Sequence, residues 1–358
     1  MNTGSSSPPR GRGTISNPAN RFERITLERD VDWNPEEDSA PTTQFFHDRT
    51  QTIINYNDSP DIGFNASVNP YRGCEHGCIY CYARPTHEYL GFSAGLDFES
   101  KIMVKTEAPE LLRRELAAPK WRPQVIAMSG VTDCYQPVER RLQLTRRCLE
   151  VLADFRNPVG IVTKNHLVTR DVDLLRALAE HRAVVVFLSI TTLDATLAAK
   201  LEPRASLPKH RLAALRTLRD AGVPVGVMVA PVIPALTDHE IPSIIAAAVE
   251  AGAETAGYVV LRLPFGLGPL FEEWLLRHFP ERKEKVLNRV RALRDGKIND
   301  PDFGSRMRGT GVFAEQIAGL FALACRKAGL TGRHPELSTA AFQVPASESE
   351  SNQSRFPF

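Results

Sequence analysis

The sequence predicts an α/β fold on a parallel sheet, read as a partial (β/α)6 TIM-type barrel with a mainly helical C-terminal extension. Three observations predict it. Six short β-branched runs, at 66–69, 125–129, 160–163, 184–189, 224–230 and 258–262, are spaced through the middle of the chain. Amphipathic stretches of helical period lie between them. After Leu263 the runs stop and the chain turns helical and basic. Repeated strand–helix–strand order gives parallel strands with right-handed crossovers. Six strands suit a partial barrel, and a doubly wound open sheet is the alternative.

Taken in order, residues 1 to about 20 are rich in Ser, Pro, Gly and Arg and read as a disordered tail. The first 45 residues are assigned to that N-terminal extension, with a possible extended piece at 52–56, and 46–265 to the core domain. The helical stretch 138–155 carries Leu142, Leu149 and Leu152, and 172–179 carries Leu174, Leu175 and Leu178. The stretch 209–221 puts Leu212, Leu215 and Leu218 on one face, and Gly222 follows it as a helix C-terminal glycine should. A further helix is expected over 241–251. The segment 269–295 carries Arg277, Arg282, Lys283, Lys285, Arg289, Arg291 and Arg294. Glu272, Glu273, Glu281, Glu284 and Asp295 interleave with them, so a salt-bridged, solvated face is expected rather than a polyanion-binding one. A last helix spans 311–328, making 266–345 a helical extension and 346–358 a second tail.

Composition narrows the class. The 358 residues are 42% hydrophobic and 24% charged, as in a soluble globular protein. No apolar run reaches the length of a membrane span. The opening MNTGSSSPPRGRGTISNP has no apolar core for a Sec-type signal, so a cytoplasmic protein is expected. A net charge of +2 implies nothing about nucleic acid. Of the six cysteines, Cys134, Cys148 and Cys325 are scattered and the other three crowd one loop. That is not a disulfide framework, and it suits a reducing compartment.

The crowded loop is CEHGCIYC, with Cys74, Cys78 and Cys81 in the spacing C-x3-C-x2-C. Three thiolates on one short loop can hold three irons of a 4Fe–4S cube and leave the fourth iron without a protein ligand. Clusters used only for electron transfer usually have four protein ligands. The alternative is a structural zinc with His76 or His87 as fourth ligand. The chain would then be a non-catalytic zinc or iron–sulfur module for nucleic-acid or protein recognition.

The spacing, with Tyr80 before the last cysteine, resembles the radical S-adenosylmethionine (SAM) superfamily. NPYRGCEHGCIYCYAR, with SGVTDCYQPVE, TKN and LSITTLD, is similar to the branch related to spore photoproduct lyase, over roughly residues 60–265. The resemblance implies the partial barrel. It also implies a 4Fe–4S cluster on Cys74, Cys78 and Cys81, with SAM chelating the open iron. An electron from a flavodoxin- or ferredoxin-type donor would cleave SAM to a 5′-deoxyadenosyl radical that takes hydrogen from a substrate. The substrate is unknown, with nucleic acid a lesser possibility.

In parallel barrels the chemistry gathers at the C-terminal strand ends. Ser129 and Thr132, with Asp133 beside them, stand where the family carries a Gly-Gly-Glu element for the SAM amino group. Lys164 is expected at the SAM carboxylate and Ser189 at the ribose or carboxylate. Glu202 and Arg204 resemble a Glu/Arg element beside SAM. Each has an ordinary use as well: a Ser at a strand end caps turns and helices, and a Glu/Arg pair can be a surface ion pair. The lyase has a hydrogen-donating cysteine just before the serine of its second strand, and this chain has Met128 there. Cys134 is the candidate to replace it; Tyr82, Arg84 and Tyr135 are candidate cavity residues, with core packing as the alternative for Tyr135.

Overall fold

A computed structural model describes residues 11–22, 42–330 and 335–346. Ten strands are present among them: β1 (Gln44–His47), β2 (Ile54–Tyr56), β3 (Ala66–Val68), β4 (Tyr71–Arg72), β5 (Lys101–Val104), β6 (Ile126–Met128), β7 (Val159–Thr163), β8 (Val184–Ser189), β9 (Val225–Val232) and β10 (Thr255–Val260). The helices are α1 (Leu96–Ser100), α2 (Ala108–Ala117), α3 (Glu139–Leu142), α4 (Leu144–Phe155), α5 (Val172–Ala179), α6 (Ala195–Leu201), α7 (Pro208–Asp220), α8 (Ile241–Glu250), α9 (Leu267–His278), α10 (Lys283–Ala292) and α11 (Gly311–Lys327).

The main sheet runs β10-β9-β8-β7-β6-β3-β2. Every pairing is parallel except β2 with β3. From β3 to β10 the spatial order follows the chain order without reversal. A doubly wound sheet reverses at a switch point; this one winds one way and stays open between β10 and β2, as a partial barrel does. A second sheet, β1-β5-β4, lies beside the cysteine loop.

Side chains alternate along each strand. One face supplies Ile161, Val184, Val186, Val225 and Val227, which join Leu149, Leu152, Leu175, Leu178, Leu215 and Leu218 of the helices in one core. The other face carries Val162 and Phe187, which register against each other, and Met228. Val162 is 39% exposed in mid-sheet, so this face borders open space. Lys164 and Ser189 continue the same alternation, placing their side chains toward that interior.

Two expectations are corrected. Residues 11–20 are not a loose tail. Gly13 N and Thr14 N donate to Glu99, Leu96 N donates to Ser16 O, and Asn20 donates to the carbonyls of Glu88 and Phe92. The small residues that mimic disorder are there for close approach: a Cβ on Gly13 would lie 1.8 Å from Gly77 O. The single helix expected over 138–155 is two, broken where Gln143 adopts φ 53°. The tail expected at 346–358 lies outside the described residues from 347 on. On the basic segment Lys283 reaches Glu272 at 2.9 Å and Glu284 at 3.4 Å, Arg282 reaches Glu281 at 3.9 Å, and Arg277 reaches Glu273 at 4.0 Å. Among the described residues no helix is long and apolar enough to cross a membrane.

Candidate active site at the strand ends

The cysteine loop leaves β4 through Gly73 and turns again at Gly77, at φ 80° and 67°, where a side chain is strained. Its backbone is tied down on several sides: Cys74 N donates to Phe98 O, Ile79 N to Leu201 O, and Arg204 N to His76 O. The fully buried Arg84 holds the loop from within. It donates to Cys78 O at 2.9 Å and to the carbonyls of Ala94 and Gly95, and pairs with Glu99 at 2.5 Å.

Cys74 and Cys78 are buried, Cys81 is half-buried, and none forms a disulfide. Burial pushes all three thiols above their ordinary range. Such thiols ionise readily only against a metal's positive charge. Of the two histidines proposed as a fourth ligand, His76 is engaged at both ring nitrogens, whereas His87 keeps a buried Nδ1 without a hydrogen-bond partner. His76 lies against Asp133 at 3.3 Å and Asn165 at 3.2 Å. His87 Nε2 lies 2.9 Å from Lys101 O, and its ring packs on Phe92 and Phe98. Among the described residues no three His, Cys, Asp or Glu side chains gather to hold a single metal ion. Three thiols on one loop suit a 4Fe–4S cluster with one iron left open, and a zinc would need a fourth donor such as His87 Nδ1.

Beside the loop lies a polar cluster built from three strand ends. Lys164 Nζ, after β7, donates to Ser189 Oγ at 2.8 Å and Ala230 O at 2.9 Å, and pairs with Glu202 at 3.2 Å. Glu202 accepts from Thr191 Oγ1 at 2.8 Å and, through very short contacts, from Tyr80 and Arg211. Arg211 also donates to Ser189 O and Ser206 O, both at 2.7 Å. Burial alone would raise the Glu202 carboxyl, but Arg211 and Lys164 outweigh it and hold it well below the carboxylate range. Tyr80 sits within CIYC, so this network is wired to the cysteine loop.

At the end of β6, Ser129 takes φ 77°, a strained conformation for a residue with a side chain. Its Oγ accepts from Cys134 N at 2.9 Å. Gly130 O accepts from Tyr82, the residue after Cys81, at 2.7 Å. The second strand end and the cysteine loop are thus joined.

The structure separates the expected residues. Lys164, Ser189 and Glu202 come together, and Ser129 lies near the loop. Thr132 turns inward, its hydroxyl donating to Tyr71 O at 3.0 Å. Arg204 does not accompany Glu202; it pairs with Glu75 at 2.9 Å. Cys134 and Tyr135 are 0% exposed in the core, and Tyr135 donates to Asp171 at 3.0 Å. Both candidates belong to the core cluster between sheet and helices. Sequence reasoning missed Arg211 and the network role of Tyr80, and Arg84, expected to line the cavity, instead holds the loop from within.

A family model described as the radical SAM superfamily matches residues 68–248. This chain belongs to that superfamily. An uncharacterised protein of Mycobacterium tuberculosis is 36% identical to it over 292 residues, 80% of this chain and 82% of the relative. An uncharacterised protein of Methanocaldococcus jannaschii is 31% identical over 223 residues, 62% of this chain and 80% of the relative. Among solved structures, spore photoproduct lyase complexed with dinucleoside spore photoproduct shares the fold. It has a TM-score of 0.57 and 16% identity, covering 80% of this chain and 79% of that one. A variant of that lyase with bound AdoMet and the dinucleoside matches at TM-score 0.56 and 17% identity, over 80% and 79% of the two chains. Members of the superfamily typically use a 4Fe–4S cluster and SAM.

Proposed function

We propose that this chain is a radical SAM enzyme in which Cys74, Cys78 and Cys81 hold a 4Fe–4S cluster. The observation that carries the reading is the donor set: three crowded thiols on a pinned loop, with His76 beside them engaged by Asp133 and Asn165. Cys74, Cys78 and Cys81 would hold the cluster, and cluster and SAM when bound would supply radical chemistry for hydrogen abstraction from the substrate. Lys164 and Ser189 offer a cation and a hydroxyl for the SAM carboxylate or ribose. Glu202 and Arg211 fix Lys164 and the Ser189 backbone in place, and Ser129 offers its strained turn to the amino group. The electron donor is read as a flavodoxin or ferredoxin type, and the compartment as the cytoplasm.

The substrate is read as nucleic-acid related, with lyase-type or repair-like chemistry, because the lyase neighbour binds a dinucleoside. Hydrogen return through a thiol has no support here. Met128 is buried in β6, and Cys134 and Cys148 are fully buried. The test is anaerobic reconstitution with iron and sulfide. We expect about four irons per chain and an electron paramagnetic resonance signal of the reduced cluster that shifts when SAM is added. A colourless protein binding one zinc, or a signal blind to SAM, would leave the metal-module alternative.

A further inference from the structure

The open end of the barrel holds a guanidinium that the protein itself leaves poorly matched. Arg262 follows β10, the last strand, next to the gap in the sheet. Its Nε is buried with no hydrogen-bond partner. Its Nη1 reaches Met307 Sδ at 3.5 Å, and a thioether is a weak acceptor. Among the described residues Arg262 forms no ion pair, and a half-buried cation without a counter-charge is costly.

The neighbouring charges do not supply one. Arg306 is satisfied by Asp61 and Ser59, each at 2.5 Å. Arg294 donates to Leu261 O at 2.9 Å and Ser305 O at 3.1 Å. Asp300, the other acid nearby, accepts from Ser305 Oγ at 2.5 Å. Burial and the proximity of Arg306 push the Arg262 guanidinium below its ordinary range, the opposite of what a paired arginine shows. Aromatic surface lies close. The guanidinium carbon is 6.0 Å from the ring of Tyr82, which follows Cys81 and is 50% exposed.

We propose that Arg262 anchors the substrate by binding a phosphate group, with the substrate's flat ring against Tyr82. A guanidinium fork beside an exposed aromatic face is the pairing that a nucleotide unit asks for, charge-assisted bonds to phosphate and stacking of the base. The proposal rests on the reading of the cysteine loop as the reactive centre, because that reading makes the space beside Tyr82 the place of the substrate. The phosphate can belong to a single-stranded nucleic acid or to a free nucleotide.

The test is fluorescence anisotropy of a labelled thymidine decamer on the reconstituted full chain, without reductant, at several salt concentrations. Arg262→Gln is expected to weaken binding at least about tenfold and to make the slope of log K against log salt shallower by about one. Arg262→Lys keeps the slope. Tyr82→Ala weakens binding about tenfold with the slope unchanged, and it carries the test if Arg262→Gln misfolds by circular dichroism. Displacement of the decamer by thymidine monophosphate and not by thymidine identifies a free nucleotide as the source; displacement by neither identifies the polymer. Wild-type affinity and slope in Arg262→Gln, wild-type affinity in Tyr82→Ala, or a wild-type chain that binds none of these probes would overturn the proposal. Binding is read without turnover. A wild-type chain that cleaves SAM but binds no probe sinks this proposal alone, and a wild-type chain that binds the probe but cleaves no SAM sinks the enzyme reading alone.

Discussion

Glu202→Gln removes the one carboxylate that faces both Arg211 and Lys164. In the native protein Glu202 and Arg211 side chains are each 1% exposed, and Lys164 lies 3.2 Å away. The amide keeps the shape of the side chain but leaves two cations without their counter-charge. Breaking a buried pair from one side typically costs about 3–5 kcal/mol. Because two cations lose the same partner, we expect the upper part of that range. Urea unfolding of metal-free protein measures it as a fall in midpoint at unchanged slope. The pH dependence supplies a second check. Arg211 and Lys164 outweigh burial and hold the folded carboxyl below its unfolded value. Its contribution is therefore complete above the unfolded glutamate pKa, about 4.3, and is lost as pH falls below that toward the folded value. The stability gap between wild type and Glu202→Gln should be constant from about pH 8 to pH 5 and narrow in more acid solution. A variant within about 1 kcal/mol of wild type at pH 7 would refute the network as drawn, since even an ordinary hydrogen bond contributes that much. So would a gap that does not change with pH.

Further predictions follow from the same contacts. Gly13→Ala puts a Cβ 1.8 Å from Gly77 O, so the N-terminal segment must move off the cysteine loop. Faster bleaching of cluster absorbance in air is the expected readout. Gly226→Ala places a Cβ 2.5 Å from the Phe187 ring, an overpacking that should cost about 1–3 kcal/mol in chemical denaturation. Tyr135→Phe leaves Asp171 one donor short and should lower stability by about 1–3 kcal/mol. It should leave SAM cleavage unchanged, because the residue is sealed in the core; a large loss of cleavage would restore Tyr135 as a site residue.

The six barrel strands were legible because buried parallel strands are short β-branched runs between amphipathic helices. The last was read late, at 258–262 instead of Thr255–Val260. Ala256 and Gly257 dilute its pattern while Thr255 pairs against Gly226. The cysteine loop was legible through its spacing, and Lys164 and Ser189 through their places at strand ends. Arg211 was legible too, by a signal that went unread. It shares a helix face with Leu215 and Leu218, and an arginine on an apolar face implies a buried counter-ion. Arg204 was expected beside Glu202 from the resemblance to a Glu/Arg element, whereas the fold turns it toward Glu75. The burial of Cys134 and Tyr135 was not legible, because sequence gives their distance from a strand end but not the direction of the chain after the turn at Ser129. The packed N-terminal segment was hidden by its small, polar composition, which serves close packing as well as disorder.

The most direct test of the central claim is the formation of 5′-deoxyadenosine by anaerobically reconstituted protein given dithionite and SAM. We predict product from the wild type and none from Cys78→Ala, with the variant still folded by circular dichroism. Product from Cys78→Ala at the wild-type rate, or intact SAM with a fully loaded wild-type cluster, would contradict the account.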